Sequence, residues 1–108
     1  MKPTIWGPYG WLFLHSVTME YPDKPSSKDK KQMEAFFNSL KHVLPCDTCS
    51  RNLIKNMRKT PLTKKVLSSR DNLVVWLIEI HNDVNKSNGK KVLSVKEALQ
   101  ALDKALHE

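Results

Sequence analysis

Both cysteines of this 108-residue chain fall in one run, Pro45-Cys46-Asp47-Thr48-Cys49. Two thiols separated by two residues can close a small disulfide ring. A helix starting at the motif stabilises a thiolate through its N-terminus. The thiolate is the attacking species in disulfide exchange, so the spacing points to redox chemistry. Two other readings use the same pair: half of a zinc site, or two inert buried thiols. Zinc needs two further ligands, and His15, His42, His81 and His107 show none of the usual histidine spacings. A thioredoxin-type explanation fails, because that fold needs strands around the motif and the chain shows no sustained alternation of period two.

A single dithiol exchanges disulfides but passes electrons to oxygen poorly without a cofactor. The side chains able to hold one are Trp6, Trp11, His15, Trp76 and His81, with Asn82, Asn85 and the lysines that follow them. Taken singly, each has a plain structural role: Trp11 and Trp76 as core, His15 and His81 as satisfied buried imidazoles. The three glycines, Gly7, Gly10 and Gly89, form neither a G-x-G-x-x-G turn nor a P-loop. Any bound phosphate must therefore be held by side chains.

Helices must position these groups. The first is expected to begin near Pro8 and end before Pro22, with Trp11, His15 and Thr18 on one stripe and apolar residues around the rest, so that it is buried. A second starts at Ser26 or Ser27, where Ser26 and Asp29 form a capping box. Met33, Phe36, Phe37, Leu40 and Val43/Leu44 make its apolar face, and Pro45 ends it. A third begins at Cys46, with Cys46, Cys49, Leu53 and Met57 on one face. The fourth runs from about Asp71 to Lys86, turning Leu73, Trp76, Leu77, Ile80 and Val84 inward, and Asn88-Gly89 stops it. Ser94-x-x-Glu97 caps a last helix with Val95, Ala98, Leu99, Leu102 and Leu106 inward. The expected architecture is all-α: a bundle of four main helices plus a shorter fifth, as one domain over residues 1–108.

Hydrophobic residues make up 40% of the chain and charged residues 27%, the balance of a globular domain. The net charge of +7 favours an anionic cofactor or an acidic protein partner. Its lysines are scattered rather than blocked, which does not single out nucleic acid. The most apolar stretch, Trp11 to Met19, is far below the roughly 20 residues of a spanning helix. The N-terminal residues lack the apolar core of a signal peptide. The chain is therefore expected to stay in the compartment where it is made, away from membranes.

Taken together, Trp6-Gly7, Trp11-x-x-x-His15, Tyr21-Pro22-Asp23, Leu44-Pro45-Cys46-x-x-Cys49, Trp76, His81-Asn82-x-Val84-Asn85 and Gly89-Lys90 resemble the Erv/ALR family of FAD-linked sulfhydryl oxidases, in order and approximate spacing. The resemblance implies a four-helix bundle with an added fifth helix, FAD at one end, and homodimers built through the first two helices. It implies that Cys46 and Cys49 are the catalytic pair beside the flavin, with Cys49 the nearer. Trp6, Gly7, Trp11, His15 and Trp76 would belong to the cofactor site. His81, Asn82, Val84 and Asn85 would line its adenine and ribose side, and Lys90 and Lys91 would lie near its phosphates. No metal is implied.

Family members often carry a shuttle cysteine pair and a structural pair, and this chain has neither. In that it resembles the minimal versions encoded by large DNA viruses, for which host cytoplasm or the virion is the expected location. The implied function is oxidation of substrate thiols to disulfides, with electrons passing through FAD to O2 to give hydrogen peroxide. Substrate proteins or a separate disulfide carrier must then reach Cys46–Cys49 directly. The competing readings are a non-enzymatic helical zinc or adaptor module and a basic nucleic-acid-binding bundle.

Overall fold

A computed structural model describes residues 1–107, and among them every regular element is helical. Helix α1 spans Pro3–Met19, α2 Ser27–Leu40, α3 Asp47–Lys59, α4 Arg70–Ser87 and α5 Val95–Leu106, with a 3-10 turn at Val66–Ser68 before α4. The all-α architecture holds, and α5, at 12 residues, is the shortest of the five helices. No helix among the described residues is long and apolar enough to cross a membrane.

The local caps form as the sequence dictates. Ser26 and Asp29 exchange hydrogen bonds at the start of α2, and Ser94 and Glu97 do the same at α5. Ser69 accepts the Asn72 N–H to start α4. At the other end of α4, Gly89 takes φ +68°, the left-handed conformation that an L side chain resists. There the Gly89 and Lys90 N–H groups bond back to the carbonyls of Lys86 and Asn85, which closes a Schellman motif.

Four expectations need correction. Helix α1 begins at Pro3, not near Pro8, and Pro8 lies inside it. Pro3 costs nothing in the first turn, and the carbonyl that Pro8 leaves without a donor is that of exposed Thr4, where water can serve it. Nor is α1 buried all round: His15 and Thr18 are, but Ile5, Tyr9 and Phe13 are 61%, 77% and 62% exposed. Helix α2 stops at Leu40, five residues short of Pro45, leaving Val43 exposed in the turn that follows. On α5 only Ala98 is buried, while Val95, Leu99 and Leu106 remain exposed.

Helix α4 is the post around which the rest is arranged. One side of it, Leu73, Trp76, Leu77 and Ile80, joins Tyr21, Phe37, Leu53, Met57 and Leu67 in the main core. Its other side, Val74 and Ile78, meets Ala98 of α5 together with Met19 and Leu93. Burying each large aliphatic side chain is worth roughly 1.5–3 kcal/mol, so α4 is the main source of stability. The connection after α1 is pinned to it: the Tyr21 hydroxyl donates to the Leu67 carbonyl at 2.7 Å, and Arg70 Nε donates to the Tyr21 carbonyl at 2.6 Å.

Candidate redox and cofactor site

Cys46 is the N-cap of α3, and its Sγ accepts the Cys49 backbone N–H at 3.2 Å. The two sulfurs are joined as a disulfide, with Cα atoms 5.2 Å apart, and both residues are half-buried. A cysteine at an N-cap faces the unsatisfied N–H groups and positive dipole end of its helix, which favour the thiolate once the disulfide is opened. The Met1 nitrogen reaches the Pro45 carbonyl at 3.0 Å, so the start of α1 lies against this turn. Among the described residues no three His, Cys, Asp or Glu side chains gather as a metal centre would require.

Along α1, away from that turn, runs a wall of aromatic and imidazole rings. Trp11 stacks flat on His81 of α4, with centroids 3.9 Å apart and planes 6° from parallel. His15, one turn after Trp11, places Nε2 2.9 Å from His81 Nδ1. A single proton must lie between those two nitrogens. Burial, with His81 close by, lowers the His15 pKa to about 4. Burial, with the Lys90 charge, lowers His81 to about 4 as well. Both rings are therefore neutral at pH 7.

Two polar atoms of α1 are buried with no partner: His15 Nδ1 and Trp6 Nε1. A buried unpaired donor or acceptor costs about 1–3 kcal/mol, so two on one helix mark places that another molecule completes. The glycines fit that reading. Gly10 has the Trp6 ring against it, 3.3 Å from where a Cβ would sit, and Gly7 has open space over it. Trp6 and His15 are nine positions apart, about 13 Å along the helix but about 180° around it, so the wall itself is Trp11, His15 and His81 and Trp6 stands apart from it. Stacked rings, neutral imidazoles and an unpartnered His15 Nδ1 suit a flat, hydrogen-bonding ligand, and the residues present fit FAD.

The remaining expected residues divide. Val84 and Asn85 are half-buried in the last turns of α4, and the Lys90 N–H bonds to the Asn85 carbonyl at 2.7 Å. That bond brings Lys90 back beside the histidine pair. Trp76 lies in the core, 3% exposed, edge-on to Phe37, with its indole N–H on the Thr60 carbonyl. Asn82 spends both ends of its amide on the Leu93 backbone, so it positions the segment carrying Lys90 and Lys91. Lys91 pairs at 3.9 Å with Glu97 of α5, both exposed. Gly10 was not expected to matter. The available signal was its helical position four residues after Trp6, where glycine costs about 1 kcal/mol relative to alanine and needs a reason.

The model of the Erv1/Alr family matches residues 8–104. A probable FAD-linked sulfhydryl oxidase of Acanthamoeba polyphaga mimivirus is 50% identical over 106 residues, covering 98% of this chain and 74% of the relative. The mitochondrial FAD-linked sulfhydryl oxidase of Saccharomyces cerevisiae is 36% identical over 80 residues, 74% of this chain but only 41% of that longer protein. Among solved structures, the FAD-binding domain of Erv1 from Saccharomyces cerevisiae superposes with a TM-score of 0.82 at 32% identity, over 89% of each chain.

Proposed function

The chain belongs to the Erv1/Alr family, and on that premise we infer that it is an FAD-linked thiol oxidase that makes disulfide bonds. The observation that carries the reading is the Cys46–Cys49 disulfide at the head of α3, set against the start of the helix that carries the aromatic wall and the unpartnered polar atoms. In the reaction a substrate thiolate attacks the Sγ of Cys46 and breaks the Cys46–Cys49 bond, leaving Cys49 as a thiolate. A second substrate thiolate then attacks the substrate sulfur of the mixed disulfide, forming the substrate disulfide and expelling Cys46. The Cys49 N–H that bonds to Cys46 Sγ stabilises that leaving group, and a better-stabilised thiolate leaves faster. FAD, when bound, supplies the acceptor for the electron pair of the resulting dithiol and passes it to O2. The sum is two thiols plus O2 giving one disulfide plus H2O2.

The division of roles leaves Cys49 to deliver the electron pair inward. Trp11, His15 and His81 would hold the flat rings of the cofactor, Trp6 Nε1 and His15 Nδ1 would hydrogen-bond it, and Lys90 would neutralise phosphate charge. The working unit of the proposal is a homodimer, for which the exposed Ile5, Tyr9 and Phe13 stripe of α1 supplies apolar surface. Action in host cytoplasm or the virion belongs to the same reading and rests on the viral relatives. One preparation tests the whole. Purified protein should be yellow with one FAD per chain, scatter light as a dimer, and convert dithiothreitol and O2 to peroxide without a lag or a second protein. Folded, colourless protein that takes up no added FAD overturns the reading.

A further inference from the structure

A polar concave region lies apart from the aromatic wall. Between α3 and α4 lies a groove of about 400 Å3, with Asn52, Lys55, Asn56 and Lys59 along one side and Asp83 and Lys86 along the other. It starts at Asn52, about one turn beyond Cys49, and extends to Lys59, about 10 Å along the helix at 1.5 Å per residue. Asn52 and Asn56 lie within about 60° of Cys49 around α3, so the groove continues from the reactive turn.

Its charge is one-sided. Three lysines face a single carboxylate, and Asp83 already accepts the Thr60 hydroxyl at 3.2 Å. The ion pairs found among the described residues are Lys91–Glu97 and His107–Asp103, so neither involves a groove lysine. Lysines in the last turn of a helix offset its dipole, which accounts for Lys59 and Lys86 but not for Lys55. The two asparagines, four residues apart, offer amide donors and acceptors of the kind an extended peptide backbone requires. A slot between two helices does not admit a nucleic-acid duplex.

We propose that this groove docks an acidic segment of the thiol-bearing protein, aligning its thiols with Cys46–Cys49. The proposal rests on Cys46–Cys49 being the substrate-facing disulfide, and it assigns that site a specificity determinant.

The test uses the FAD-loaded enzyme and two peptides that share one Cys-x-x-Cys, one carrying a glutamate tract and the other glutamines. Wild-type enzyme should favour the glutamate peptide by about tenfold in kcat/KM, with the preference shrinking as salt rises. Replacing Lys55 and Lys59 with Gln should remove most of the preference, and Lys→Glu at the same positions should invert it. Dithiothreitol turnover should stay within about twofold of wild type, since neither lysine lies in the reactive turn or among the groups that would hold the cofactor. An equal preference in the variants, or none in wild type, overturns the proposal. A labelled glutamate peptide with serines for cysteines reads docking by anisotropy without any turnover, so the groove is judged even if the enzyme oxidises no thiol. Binding of this peptide that survives the Lys→Gln changes, or binding of duplex DNA but not the peptide, also overturns it.

Discussion

At the wall formed by α1 and α4, a polar atom is buried and left wanting. His15 is 3% exposed with Nδ1 unpartnered, and the Trp6 indole N–H, elsewhere on α1, also lacks a partner. At the head of α3 the arrangement is reversed: both cysteines are only half-buried, and Cys46 Sγ already has its donor. The wall carries an unmet cost until a ligand binds, which is how a site gains affinity. The cysteine turn carries none, and its sulfurs are free to exchange partners. Holding and reacting are thus assigned to different places, the wall along α1 and α4 and the sulfurs at the head of α3, where the start of α1 touches Pro45.

The sharpest way to test that separation is to remove a sulfur. Cys46→Ser and Cys49→Ser should each lower dithiol turnover by at least about a thousandfold, because each is a reacting atom. Both should keep a full complement of FAD, measured by absorbance of the purified protein. Only the variant retaining Cys49 should show a long-wavelength thiolate-to-flavin band. A band with Cys46 alone would reverse the assigned roles, and loss of FAD would show that the two regions are not separate.

Acid should attack the wall first. His15 and His81 have an ordinary pKa near 6.5 when unfolded and about 4 when folded. Between these values the unfolded chain binds more protons, so stability is complete above pH 6.5 and is lost as pH falls through 4. The loss is on the order of 2 kcal/mol per ring. Asp29 and Glu97, held below the usual carboxylate range chiefly by the backbone N–H groups of their capping serines, are lost in the same direction at lower pH. Urea midpoints of protein without FAD, taken from pH 7.5 downward, should show the steeper early fall. His81→Gln should flatten it. An unchanged slope in that variant would remove the histidine pair from the account.

Much of this was legible because it is local. Ser26 with Asp29, Ser94 with Glu97, and Asn88-Gly89 each settle a helix end within four residues. The motif residues could be named from type and order. Their meeting could not: His15 and His81 are 66 positions apart, and nothing in either segment specifies an Nε2–Nδ1 contact. The same reason hides the double use of Asn82, whose partner Leu93 is set by the turn at Gly89. The start of α1 was misjudged because Pro8 looks like a first-turn residue, whereas the helix carries it one turn further in, near an exposed end where water can serve the carbonyl it orphans. The apolar faces of α1 and α5 were expected to be covered, yet a periodic pattern says only that a face wants cover, not that this chain provides it.

The finest test of α1 uses its two glycines. In a helix interior, Gly→Ala gains about 0.5–1 kcal/mol when the methyl meets nothing. Gly7 meets nothing within 4 Å beyond its chain neighbours, but it precedes Pro8, whose ring crowds a Cβ in the helical conformation, so Gly7→Ala should change the stability of the FAD-free protein by less than about 0.5 kcal/mol. At Gly10 the new methyl would lie 3.3 Å from the Trp6 ring, which must give by a few tenths of an ångström. Trp6 is only half-buried and can shift, so the gain and the clash should nearly cancel in Gly10→Ala. With FAD the two should part company with their own FAD-free stabilities. Gly10→Ala moves Trp6 Nε1 and should weaken FAD binding by about threefold to tenfold, the worth of one hydrogen bond. Gly7→Ala should weaken it only if the ligand rests on that open backbone. Thermal midpoints measured with and without FAD separate these cases. Weakening at Gly10 alone would confine the cofactor to the Trp6 side of α1, weakening at both would extend it over Gly7, and weakening at neither would remove the first two turns of α1 from the site.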